Sequence, residues 1–105
     1  MRRLLPLVLL LSWTLAARGQ DAFTKLADIP YFDAPADDYA RKQCLLDLYL
    51  PKDQKDFATI VWFHGGGLKG GNRSSGAAFA RRFTAEGFGV VLVGYRLSPK
   101  VKCPV

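Results

Sequence analysis

The sequence is poor in the residues that build metal and redox sites: 105 residues contain one histidine, two cysteines and one methionine. His64 stands well apart from Cys44 and Cys103, so no ligand cluster with metal-binding spacing is present and no metal is expected. Long runs of one charge are also missing. The lysines and arginines are interleaved with aspartates such as Asp28, Asp47, Asp53 and Asp56, leaving no basic stripe to follow phosphates, so no nucleic-acid partner is expected. No apolar run approaches the roughly 20 residues that a spanning helix needs, so no stable membrane anchor is expected. Internal repeats and low-complexity tracts are absent too.

What is present begins with a targeting pattern. Met1-Arg2-Arg3 is a basic start, Leu4 to Leu11 is apolar except for Pro6, and Ala17-Arg18-Gly19 places small residues where a leader is cut. Residues 1–19 read as a secretory signal peptide, which implies a secreted or periplasmic protein. Removing Arg2, Arg3 and Arg18 with the leader takes the formal charge from +6 to +3. In an oxidising compartment Cys44 and Cys103 have two open readings: a disulfide, or two separate small buried side chains.

Residues 20–43, with Pro30, Pro35 and the aspartates from Asp33 to Asp38, read as an irregular arm. From Cys44 the pattern sharpens. Cys44 to Leu50 alternates as a half-buried strand, and the polar stretch from Pro51 to Asp56 ends it. Ala58 to Phe63 is a continuous β-branched and aromatic run, expected to be a strand buried on both faces, with Trp62 and Phe63 in the core. Ser74 or Ser75 is expected to cap a helix that carries Phe79 and Phe83 on one face and closes at Gly87. Phe88 to Tyr95 (FGVVLVGY) then supplies a second buried strand. Strand, loop, helix and strand in about 40 residues make one βαβ unit of an α/β fold, whose parallel strands need helices on both faces. Two such strands cannot supply both faces of the sheet they start, so the chain reads as the beginning of a larger protein, incomplete at Val105.

Between the first of these strands and the helix lies VWFHGGGLKGG, Val61 to Gly71, in which five of eleven residues are glycine. Glycine exposes backbone N–H groups with no Cβ to block an approaching molecule. Gly65 to Gly70 formally satisfies GxGxxG, but Gly71, Asn72 and Arg73 separate it from the helix. The next strand ends in Tyr95-Arg96 rather than in a ribose-binding acid, which counts against a dinucleotide. Lys69 is followed by Gly70 rather than Ser or Thr, which rules out a Walker cradle. A purely structural turn needs fewer glycines and no flanking histidine. Paired backbone donors aimed at one point suit the developing negative oxygen of acyl transfer.

His64-Gly65-Gly66-Gly67 at the end of a buried strand resembles the HGGG motif of α/β-hydrolase lipases and esterases. Leu48-Tyr49-Leu50-Pro51 is similar to the preceding strand of that family. Tyr95-Arg96-Leu97-Ser98-Pro99 is similar to the YRL(S/A)P segment of its carboxylesterase branch related to hormone-sensitive lipase, and Pro104 to the proline that leads into that branch's next helix. The resemblance covers roughly Cys44 to Pro104, most of the chain that follows the leader. It implies the N-terminal part of an α/β-hydrolase sheet, with antiparallel first strands followed by the βαβ unit. It further implies a small-molecule ester as substrate and no cofactor.

Carried onto this sequence, the resemblance makes Gly66 and Gly67 the oxyanion donors and has Gly65 shape the turn. His64 would hold the loop, and Tyr95 and Arg96 would brace the strand end. The family's mechanism also needs a serine in GxSxG, then an acid, then a histidine. Ser74, Ser75 and Ser98 have no such setting, so no catalytic triad residue is expected among these 105 residues. Nucleophile, acid and histidine are all expected beyond Val105. The expectation is therefore an N-terminal portion of a secreted carboxylic-ester hydrolase whose catalysis belongs to a longer protein. The alternative reading is a non-catalytic remnant or binding module of the same fold.

Overall fold

The structure, a computed structural model, describes residues 23–32 and 37–102. The leader expected over residues 1–19 lies outside the described residues. So do Cys103 and Val105, the position after which the catalytic triad is expected. The elements in chain order are β1 (Phe23–Pro30), α1 (Asp38–Gln43), β2 (Leu45–Pro51), β3 (Thr59–Phe63), α2 (Ala77–Ala85) and β4 (Gly89–Val93). A 3-10 turn over Arg73–Gly76 leads into α2.

The four strands form one sheet in the order β1-β2-β4-β3. β2 pairs antiparallel with β1 and with β4, with Leu46 opposite Val93 and Tyr49 opposite Val90. β3 and β4 run parallel, with Thr59 beside Gly89 and Phe63 beside Val93. The expected βαβ unit is thus present, and antiparallel strands precede it.

The segment read as an irregular arm carries two regular elements, and the sheet begins at Phe23 rather than at Cys44. Its β1 lies at the sheet edge and is exposed over most of its length, so its residues lack the apolar alternation that marks a strand with one buried face. A register irregularity between Leu26 and Ile29 disrupts the pattern further, and there the Asp28 amide donates to Asp47 Oδ1 at 3.0 Å. Helix α1 is only six residues long. It is set by Asp37, whose side chain accepts from the Ala40 amide at 2.6 Å, and by Asp38 in the first turn with Arg41 and Lys42 in the last.

Helix α2 ends as the sequence leads one to expect. Gly87 takes φ +95°, its amide donates to Thr84, and the Phe88 amide donates to Phe83, the paired bonds of a Schellman closure. Its start differs from expectation. Asn72 caps the preceding 3-10 turn by accepting from the Ser74 amide at 2.7 Å, which displaces Ser74 and Ser75 into the turn itself.

Ala80 and the rings of Phe79 and Phe83 lay α2 on a core of Tyr49, Val90 and Leu92, with Trp62 stacked on Phe79 at 6.3 Å. β4, in the interior of the sheet, is buried along nearly its whole length. β3 departs from the expectation of burial on both faces. It is the sheet edge, and only Ile60 and Trp62 face α2. Val61 and Phe63 point to the other face and are 54% and 63% exposed, so Phe63 is not a core residue.

Candidate active-site loop

The chain leaves β3 at Phe63 and immediately buries His64, which is 4% exposed. Its ring stacks on Tyr95 with centroids 4.2 Å apart and planes 9° from parallel. The Tyr95 hydroxyl donates to the His64 carbonyl. His64 Nδ1 lies 2.8 Å from the Gly65 carbonyl oxygen, and because that oxygen can only accept, the ring nitrogen is the donor. The imidazole thus folds back on its own backbone, fixing the direction in which the loop departs.

The loop then closes on itself. The Gly66 carbonyl accepts from the amides of Lys69 and Gly70 at 3.1 and 3.2 Å. Gly66 has φ +131°, and a Cβ there would collide with the Gly70 carbonyl. Gly71 is equally constrained, since a Cβ would run into the Gly65 oxygen and the His64 ring. At Gly67 the situation differs: φ is +63°, but a Cβ would meet nothing within 4 Å. Packing does not demand glycine there. Open space lies in front of it instead.

Among the described residues the amides of Gly66 and Gly67 make no hydrogen bond. Two adjacent unpaired backbone donors on an exposed turn have the chemistry to bind an anion. Leu68 continues the left-handed backbone at φ +61°, a conformation that costs a side-chain-bearing residue roughly 1–2 kcal/mol. Its carbonyl is held by the Ser98 amide at 2.8 Å. This tether between the glycine loop and the segment after β4 was not visible in the sequence, because both groups are main chain.

Beside the loop is a hollow of about 400 Å³, bounded by Tyr31, Cys44, Leu68, Tyr95 and Arg96 among others. Arg96 sits on its wall and makes no hydrogen bond or ion pair among the described residues. Arg73, by contrast, is held in ion pairs. Its guanidinium reaches Asp28 and lies with Nε 3.1 Å from the buried Asp47 carboxylate, tying the start of the 3-10 turn to β1 and β2. The Tyr31 hydroxyl donates to the Gly94 carbonyl at 2.6 Å. Burial and then the neighbouring Cys44 raise the Tyr31 phenol to about 12, with Arg96 opposing. Cys44 is buried; its pairing with Cys103 lies outside the described residues.

The site residues named from sequence therefore divide. His64, Gly65, Gly66, Gly67 and Tyr95 come together in one substructure, and Arg96 stands apart from it on the wall of the hollow. The nucleophile, acid and histidine expected beyond Val105 lie outside the described residues altogether.

Residues 46–105 match the BD-FAE family model. The chain belongs to the BD-FAE family. Its structure is similar to esterase B from Lactobacillus rhamnosis, solved with a tributyrin phosphonate inhibitor. The TM-score is 0.65 at 26% identity, over 78% of this chain and 26% of that one. It is also similar to a truncated carbohydrate esterase from gut microbiota, with a TM-score of 0.59 at 25% identity over 81% of this chain and 30% of that one. A bacterial heroin esterase shares the fold, with a TM-score of 0.55 at 24% identity over 78% of this chain and 24% of that one. The chain thus spans about a quarter of the length of these esterases. The four-stranded mixed sheet matches the N-terminal part of the α/β-hydrolase fold.

Proposed function

We propose that Val61 to Gly71 is the oxyanion-binding loop of a secreted carboxylic-ester hydrolase. The observation that carries the reading is the pair of amides at Gly66 and Gly67. Among the described residues they are without partners, on a turn that the His64–Tyr95 pair and the Leu68–Ser98 bond hold in place. The esterase relatives support the reaction class.

In this reading an ester carbonyl docks with its oxygen toward the two amides, in the open space before Gly67. Attack on the carbonyl carbon moves the π electrons onto that oxygen. The amides, already oriented, stabilise the negative charge without reorganising, and each such donor contributes about 2.7 to 4 kcal/mol to lowering the barrier. His64 is assigned loop support rather than proton transfer: it is 4% exposed, with its ring stacked on Tyr95 and Nδ1 bonded to Gly65. It orients the loop. The attacking hydroxyl, with its histidine and acid, comes from outside residues 1–105.

Incubating the secreted gene product with p-nitrophenyl acetate and with a fluorophosphonate probe tests this. Ester turnover is expected, with the probe on a serine beyond Val105. Labelling of Ser74, Ser75 or Ser98 would overturn the assignment of these residues to oxyanion binding alone.

A further inference from the structure

The glycine loop is held at one end by His64 and Tyr95, but its far end includes Leu68, a residue in the left-handed region with its side chain 55% exposed. Little packing keeps it there. The one hydrogen bond on its carbonyl comes from the Ser98 amide. Ser98 in turn belongs to a short turn, closed by the Val101 amide on the Leu97 carbonyl at 3.2 Å. That turn meets α1 at Tyr39: the Leu97 amide donates to the Tyr39 hydroxyl at 2.9 Å, and Lys100 Nζ lies over the Tyr39 ring at 4.5 Å from its centroid.

We propose that Tyr39 of α1 is a positioning residue for the glycine loop, acting through consecutive amides. Its hydroxyl oxygen receives the Leu97 N–H, which fixes the next N–H, that of Ser98, on the Leu68 carbonyl. This sets the peptide plane between Leu68 and Lys69, one residue past Gly67. The proposal builds on the oxyanion reading, since a loop with no charge to bind gains nothing from being held in a strained shape. Its physical content is independent of that reading: the hydroxyl is about 30 residues before the loop in sequence, and its removal should loosen the loop.

The test is hydrogen exchange by mass spectrometry on the full-length gene product, comparing Tyr39→Phe and Lys100→Met with the parent. Tyr39→Phe keeps the ring and removes only the acceptor. It should speed exchange in peptides covering residues 64–71 and 96–101 roughly fivefold or more, the scale of one lost hydrogen bond, with β2 and β4 unchanged. Lys100→Met, which removes the cation and spares the hydroxyl, should leave residues 64–71 within about twofold of the parent. Unchanged exchange at residues 64–71 in Tyr39→Phe overturns the proposal. So does an equal rise in β2 and β4, or an equal effect of Lys100→Met. If exchange rises as expected while Gly67→Ala leaves ester turnover intact, the oxyanion reading fails and the coupling from Tyr39 to the loop stands.

Discussion

Tyr95 covers the imidazole of His64 face to face and donates its hydroxyl to the same residue's carbonyl, so one side chain fixes both the ring and the backbone at the root of the glycine loop. Tyr95→Phe keeps the stacked ring and removes the hydroxyl, leaving the carbonyl at this buried position without its donor. The expected cost is about 1–2 kcal/mol of stability, read as a lower urea midpoint with an unchanged slope. Turnover should fall with it, because the loop's departure angle is no longer fixed.

Gly66 and Gly67 should respond differently to alanine. At Gly66 the added Cβ collides with the Gly70 carbonyl, so Gly66→Ala is expected to rearrange the turn and to lower both the melting temperature and kcat/KM. At Gly67 the Cβ enters open space. Gly67→Ala is expected to cost only about 1–2 kcal/mol of stability, the ordinary cost of a left-handed alanine. It should nevertheless cut kcat by about 100-fold or more by occupying the ground where the carbonyl docks. Thermal melts and steady-state kinetics on the two variants separate these effects.

Among the described residues the outer edge of β3 is unpaired, beside exposed Val61 and Phe63. Residues 20–105 expressed alone are expected to aggregate or to bind a hydrophobic dye and melt without a cooperative transition. A sharp thermal transition from a monomer would count against this.

Alkaline titration bears on the hollow beside the loop. Burial and then Cys44 raise the Tyr31 phenol to about 12 against an ordinary value near 10. The folded state therefore holds this proton more tightly than the unfolded chain. The stability it contributes is fully present below about pH 10 and is lost as pH rises through about 12. The effect on stability is small, because Tyr31 is nearly half exposed. Absorbance at alkaline pH should show one late-ionising tyrosine, and Tyr31→Phe should remove that step.

The parts of this fold legible in the sequence are those written in side chains with a strong local pattern. The apolar run of β4, the Phe79 and Phe83 face of α2, its closure at Gly87 and the glycine loop at the end of β3 are of this kind. What was hidden depends on partners distant in sequence. β1 becomes a strand by pairing with β2 rather than by its own alternation, and α1 is too short to show a period. The run Thr59–Phe63 looks fully buried in isolation, yet its place at the sheet edge leaves Val61 and Phe63 uncovered by the described residues. The links from Tyr39 to Leu97 and from Ser98 to Leu68 engage main-chain groups, which every residue carries and no sequence pattern marks.

If the Gly66 and Gly67 amides receive the charge that develops on an ester oxygen, they must respond when a charged mimic of that oxygen is fixed in place. The direct measurement is the amide NMR spectrum of the isotope-labelled, full-length gene product before and after inactivation with an ester-mimicking phosphonate. The Gly66 and Gly67 amide protons should move downfield as they bond to the phosphonyl oxygen, while those of Gly70 and Gly71 hold their positions. An inactivated protein in which Gly66 and Gly67 are unmoved would contradict the account.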